Sequence, residues 1–235
     1  MDLRQTMAAL EKLGNAQTKK TWLAHGATGA FFGVRIGDMK GLLKKIKGRQ
    51  ELALGLYASG NLDAMYLAGL VADGAKMSKK ELEAWVRDAR WGMISEYTVP
   101  WVAAENPEAR AFACKWIESK KGHVAAAGWN TYSGFVSLRP DAELDLDEIA
   151  ALLARVEREI GSAPNRVRYC MNGFVIAVGS TVKPLLAKAK ATAKKLGKVE
   201  VDMGDTACKV PDAVATLRKI EAMGRVGRKR KTMKC

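Results

Sequence analysis

The 235-residue sequence predicts an all-α protein built as an α-solenoid. Three observations point there. Apolar residues recur at three- and four-residue spacing through most of the chain. The segments carrying this pattern are short and are joined by turns marked with Gly, Ser or Asn. Only KVEVDM (198–203) alternates like a strand, and it is too short to build a sheet alone. A series of roughly a dozen such helices suggests antiparallel pairs stacked in a solenoid rather than one bundle. No strict period is visible, so the repeats are degenerate.

The elements follow in order. Residues 2–14 place Leu3, Met7, Leu10 and Leu13 on one stripe and close at Gly14. Residues 37–48 set Met39, Leu42, Leu43 and Ile46 on one face, and residues 49–60 continue with Leu52, Leu56 and Tyr57 up to Gly60. Asn61 is placed to cap a helix carrying Leu62, Met65, Leu70 and Val71. Ser78 and Glu81 form the S-x-x-E capping box of a helix that buries Leu82, Trp85 and Val86. Asn106–Pro107 signals another start. GHVAAAGWNTYSGFVSL (122–138) is rich in small residues, which lets a second backbone come close. DLDEIAALLARVEREIG (145–161) is amphipathic, with Asp145 or Asp147 near its start. Helical segments over 165–180, 181–197 and 211–224 complete the series. We expect one domain over 1–223 and a flexible basic tail over 224–235.

Bulk properties narrow the function. Net charge is +14, and residues 181–235 hold 15 Lys and Arg against 5 Asp and Glu, a net +10. Such a surface attracts polyanions, nucleic acid first among them; a merely soluble basic surface is the alternative. The four cysteines, Cys114, Cys170, Cys208 and Cys235, are widely spaced and read as reduced thiols. With two histidines in the chain, zinc sites and His-activated nucleophiles have little to work with. No metal or cofactor is expected, and phosphate-loop, dinucleotide and zinc-protease motifs do not occur. No apolar run approaches a membrane span and no secretory leader is apparent, so a cytoplasmic protein is the expectation.

RWGMISEYTVPW (90–101) surrounds one carboxylate, Glu96, with Trp91, Tyr97 and Trp101. Glu96 reads either as a helix carboxylate with an ion-pair partner or as a cation-facing group. Trp91 and Trp101 read as core or as contact residues, and Trp129, just after an Ala/Gly run, suits a concave face. Arg166 and Arg168 at a helix start suit phosphate contact or plain solvation. Lys120 and Lys121 read as complementing a helix C-terminus. Arg228, Lys229, Arg230 and Lys231 read as a solvated tail or a phosphate-binding arm.

FFGVRIGDMKGLLKKI (31–46), LALGLYASGNLDAMYLAGLVAD (52–73) and MSKKELEAWVRDARWGMISEYTVPW (77–101) occur in an order that resembles the AlkC/AlkD-like DNA alkylation repair superfamily. The resemblance runs from about residue 30 to about residue 180. It implies a right-handed solenoid of degenerate HEAT-like repeats whose concave basic groove holds double-stranded DNA, alkylated or distorted. It also implies a DNA glycosylase that excises N3- or N7-alkylated purines without extruding the base. In that family a carboxylate stabilises the sugar cation and aligns water, a coherent scheme for a base that is already a good leaving group. Anchored on TVP (98–100), the catalytic Asp of the family falls on Glu96. One family tryptophan falls on Gly92, beside Trp91; a second falls near Phe174; and a family arginine falls near Ala126. The resemblance therefore makes Glu96 the catalytic candidate. Trp91, Tyr97, Phe174 and Trp129 are candidate lesion or sugar contacts. Arg35, Lys120, Lys121, Arg166, Arg168 and Arg228–Lys231 are candidate phosphate contacts. The expected unit is a monomer, associated with the nucleoid when on DNA. A non-catalytic repeat protein binding damaged or branched DNA and a protein–protein scaffold are the alternatives.

Overall fold

The computed structural model describes residues 1–234, so Cys235 and the end of the expected tail lie outside the described residues. Among the described residues there are thirteen α-helices, joined by short 3-10 turns and one π-helical segment, and no named strand. The chain is an all-α HEAT-like solenoid, as expected.

Side-chain caps set six of the thirteen helix starts among the described residues. Asp2 and Ser78 form full capping boxes with Gln5 and Glu81 at α1 (Leu3–Leu13) and α6 (Lys79–Asp88). Asn61 caps α5 (Leu62–Val71), and Asp145 rather than Asp147 caps α10 (Leu146–Glu159). One helix has no counterpart in the sequence reading: α2 (Ala16–Ala24), capped by Asn15, which shows almost no amphipathic pattern and buries only Trp22. KVEVDM forms no strand; it belongs to the long irregular connection between α12 (Leu186–Leu196) and α13 (Ala213–Ala222).

Two layers emerge from the packing. The α5 helix, the π segment with α7 (Val99–Ala104), α9 (Gly122–Leu138) and α11 (Asn165–Thr181) lie side by side. The α4 (Gln50–Ala58), α6, α8 (Ala109–Ile117), α10 and α12 helices back them. Ahead of them, α3 (Met39–Ile46) buries the stripe Met39, Leu42 and Ile46; burial of each such side chain contributes about 1.5–3 kcal/mol. The small residues of α9 act as expected, because a Cβ on Gly128 would lie 2.5 Å from the backbone nitrogen of Ile117 on α8. The FGVR turn has its own anchor. The buried Asp63 carboxylate accepts backbone N–H groups from Phe32 (2.6 Å), Gly33 (3.0 Å) and Val34 (2.8 Å).

The expected flexible tail lies against the body. Gly227 N–H donates to the Ser180 carbonyl and Arg230 N–H to Ser137, both at the C-terminal ends of inner helices. Lys229 pairs with Asp141 at 2.7 Å and also donates to the Val136 carbonyl. Lys234 pairs with Glu105 at 2.9 Å and reaches the Ala72 carbonyl beyond α5. Met233 packs on the core beside Gly134. Arg228, Arg230 and Lys231 keep exposed side chains.

Candidate functional site

Residues 93–98 wind as a π-helix, Met93–Thr98, running directly into α7. Pro100 explains part of this, since it lacks the N–H that an α-helical Glu96 carbonyl would accept. That carbonyl is satisfied from outside, by Asn130 Nδ2 on α9 at 2.6 Å. The Thr98 hydroxyl donates five residues back, to the Met93 carbonyl at 3.1 Å. π turns of this kind redirect side chains and recur at functional sites.

The redirected residue is Glu96. Its side chain is 1% exposed, yet it is charged-paired. Arg166, on the first turn of α11, donates from Nε to Oε1 at 2.7 Å and from a terminal nitrogen to Oε2 at 2.5 Å. This is the fork-on-fork geometry that only arginine offers a carboxylate. The guanidinium also lies 4.5 Å above the Tyr169 ring. Burial pushes the Glu96 carboxyl above its ordinary range, and Arg166 opposes that shift. Burial and the neighbouring Tyr169 hydroxyl, 3.4 Å away, hold the Tyr97 hydroxyl well above its usual value.

Gly92 stands one helical turn before Glu96, and a Cβ there would lie 3.0 Å from Glu96 Oε1. The longer glutamate and the missing side chain at 92 are thus one arrangement: the carboxylate fills the space that a side chain would need.

The Glu96–Arg166 pair borders a cavity of about 890 Å³. One wall comes from α2 and the turn after it, including Trp22 and His25. The floor is Trp91–Tyr97, and the starts of α9 and α11 contribute His123, Asn165, Arg166 and Tyr169. The opposite wall is the connection around Asp202–Lys209. That connection is held by a reciprocal pair of hydrogen bonds between the Asn165 side chain and the Asp202 backbone, each 2.8 Å. It also reaches α2, where a Cβ on Gly204 would lie 3.4 Å from the Ala24 carbonyl oxygen. Trp91 donates to the His25 carbonyl at 2.9 Å and packs on Trp22 with ring centroids 4.6 Å apart. Burial lowers the His123 imidazole from its ordinary value. Among the described residues no group of three or more His, Cys, Asp or Glu side chains is arranged to hold a metal ion.

Of the expected site residues, Glu96, Trp91, Tyr97 and Arg166 meet at this cavity. Arg166 serves the carboxylate there rather than lying free for phosphate. Trp129 and Phe174 do not join them. Both are buried in the second core cluster, where they pack on one another at 5.2 Å and Phe174 also meets Tyr132. The Ala/Gly run before Trp129 and the family resemblance at Phe174 both fall on the interface between α9 and α11. Arg168 is half-buried and its Nε has no hydrogen-bond partner. Arg35 is exposed and paired with Asp38 at 2.8 Å. Lys120 and Lys121 are exposed ahead of α9, at a helix start rather than a helix end. Trp22, His25, His123, Asn165, Tyr169 and the Asp202–Lys209 segment line the cavity without being among the expected site residues. Nothing local marks them, because they come together only through the packing of distant repeats.

Comparison with known proteins identifies the family. Residues 6–198 match the family described as DNA alkylation repair enzyme. An uncharacterized protein of Listeria innocua is 35% identical over 216 residues, covering 89% of this chain and 93% of its own. A Listeria monocytogenes counterpart, also uncharacterized, is 34% identical over the same length and coverage. A solved structure, described as a new family of proteins related to the HEAT-like repeat DNA glycosylases with affinity for branched DNA structures, superposes with a TM-score of 0.90. It is 38% identical, with 100% of both chains covered. With a family match over most of its length and relatives above 30% identity, this chain belongs to the DNA alkylation repair enzyme family.

Proposed function

We propose that this protein binds DNA that departs from a continuous duplex, branched or distorted, and that its cavity carboxylate takes no part in glycosidic cleavage. The observation that carries the reading is the bidentate Arg166–Glu96 pair. A carboxylate that stabilises a sugar cation must present uncancelled charge to it. Here the charge is cancelled by a guanidinium on the same two oxygens, inside the protein. The net charge of +14 and the branched-DNA affinity of the solved relative support the DNA-binding half. In this reading double-stranded arms lie on the basic surface, and a monomer in the cytoplasm is the working unit.

Incubation with duplex carrying 7-methylguanine, followed by abasic-site detection, should give no product above background. Product that disappears in Glu96→Gln would overturn the reading and restore the glycosylase. That second reading keeps one support, the position of Glu96 at the cavity where the family's catalytic carboxylate falls; it requires Arg166 to swing away. Binding to a four-way junction should exceed binding to duplex of equal length and should weaken steeply with salt. Affinity indifferent to salt would favour a protein scaffold instead.

A further inference from the structure

We propose that the cavity between α2 and the Asp202–Lys209 segment receives a single unpaired nucleotide of a DNA strand, with its base on the aromatic floor and its phosphate at the rim. The inference rests on the DNA-binding reading above and adds which part of the DNA enters the cavity.

Four observations carry it. The first is size. About 890 Å³ lies within the range of sites that enclose one small ligand, and far below what a duplex requires. The second is the approach of the walls: a Cβ on Gly204 would lie 3.4 Å from the Ala24 carbonyl oxygen, so the Asp202–Lys209 segment comes close to the end of α2 and narrows the space between them. The third is the floor itself. Tyr97 and Tyr169 are half-buried in the lining, with Arg166 over one face of the Tyr169 ring, and Met93 on the floor and Met203 on the facing wall are soft, adaptable apolar groups. Flat aromatic rings accept any base by stacking, without sequence preference. The fourth is charge at the rim. Arg90 and Lys209 stand on different elements of the cavity lining, both exposed, and neither side chain has an ion-pair or hydrogen-bond partner among the described residues. Of the lining carboxylates, Glu96 is held by Arg166, and Asp202 is exposed with one oxygen accepting the Gly204 N–H at 2.8 Å. Two unpaired cations against one exposed carboxylate leave the rim with a net positive charge, which suits a phosphodiester, and the tyrosines of the lining suit a neutral base.

The test uses a fluorescent thymidine hexamer with one central 5-iodouracil, the full-length protein, and two double variants of equal charge change. Arg90→Glu/Lys209→Glu alters the rim, and Lys188→Glu/Lys194→Glu alters exposed lysines of α12 away from the cavity. Circular dichroism confirms that both are folded. The rim variant should lose about tenfold or more in hexamer affinity, and the α12 variant at most about threefold. Irradiation should crosslink the iodouracil to a peptide containing Tyr97 or Tyr169. Equal losses in the two variants, or crosslinks confined to peptides outside the cavity, would overturn the inference. So would thymidine monophosphate binding as tightly as the hexamer, because the site would then belong to a free nucleotide. A parallel four-way junction titration separates the two readings. Junction binding without rim dependence of the hexamer removes this inference and leaves the proposed function standing. Rim-dependent hexamer binding with no preference for the junction does the reverse.

Discussion

Glu96 and Glu148 are each gripped by one arginine through both carboxylate oxygens, as Glu118 is by Arg155, and the surroundings of the first two make them opposites. Glu96 and Arg166 meet beside the cavity, where the carboxylate side chain is 1% exposed and the guanidinium 38%. Glu148 and Arg110 meet on the outer layer, 27% and 50% exposed, with bonds of 2.9 and 2.6 Å. Glu148 also accepts from the Tyr132 hydroxyl and lies near the Cys114 thiol. Arg110 and these further donors hold the Glu148 carboxyl below its ordinary range, whereas burial lifts that of Glu96 despite its partner. The arginine fork is shared, so the difference lies in desolvation at Glu96 and in the extra donors, Tyr132 and Cys114, at Glu148. A pair open to water gains charge stabilisation cheaply, and a pair taken out of water spends most of its attraction on dehydration.

The comparison breaks most visibly when the arginines are removed. Arg166→Ala leaves a buried, unpaired carboxylate and should cost about 3–5 kcal/mol in urea unfolding. Arg110→Ala leaves a carboxylate that water can reach, and should cost about 1 kcal/mol or less. Equal losses would mean that the two sites share one effective dielectric.

A smaller effect sharpens the cavity site. Alanine for glycine inside a helix usually stabilises by about 0.5–1 kcal/mol. At position 92 the new methyl would meet a carboxylate that Arg166 pins in place. Gly92→Ala should therefore destabilise, by about 1–2 kcal/mol. In a Glu96→Asp background, where the carboxylate is drawn back, the same change should be neutral or stabilising. Additive behaviour of the two changes would show that positions 92 and 96 are not coupled.

The smallest effect is a pair of opposed pH slopes. A carboxyl depressed on folding contributes stability above its unfolded pKa and loses it as pH falls through the folded value. A carboxyl raised on folding has its contribution fully present below the unfolded pKa and loses it as pH rises through the folded value. Relative to Glu148→Gln, the wild type should therefore weaken as pH drops below the ordinary glutamate range. Relative to Glu96→Gln, it should weaken as pH rises above that range. Thermal melts across the acid limb read both, and slopes of one sign would contradict the assignment.

These contrasts also indicate how much the sequence disclosed. Periodicity and caps located most helices, Asn61 and Ser78 among them, because those signals act within one turn of chain. Glu96 was located through TVP, and Pro100 proved to be part of why that stretch winds as a π-helix. Arg166 was noticed as basic but not as the partner of Glu96, since 70 residues separate them and a bidentate pair leaves no local mark. Trp129 and Phe174 show the converse. An aromatic residue on an amphipathic helix carries the same pattern whether it faces a groove or a neighbouring helix, and both face a helix. The α2 helix escaped notice because its stabilisation comes from one tryptophan and its cap.

The docked segment from Gly227 to Lys234 changes how the whole array unravels. A solenoid ordinarily behaves as a one-dimensional chain of neighbours that can fray from either end. Here Lys234 touches Ala72, 162 residues earlier, and Lys229 touches Val136, 93 residues earlier. Tied back in this way to the middle of the array, the C-terminal repeat should exchange its amide protons together with the middle instead of ahead of it.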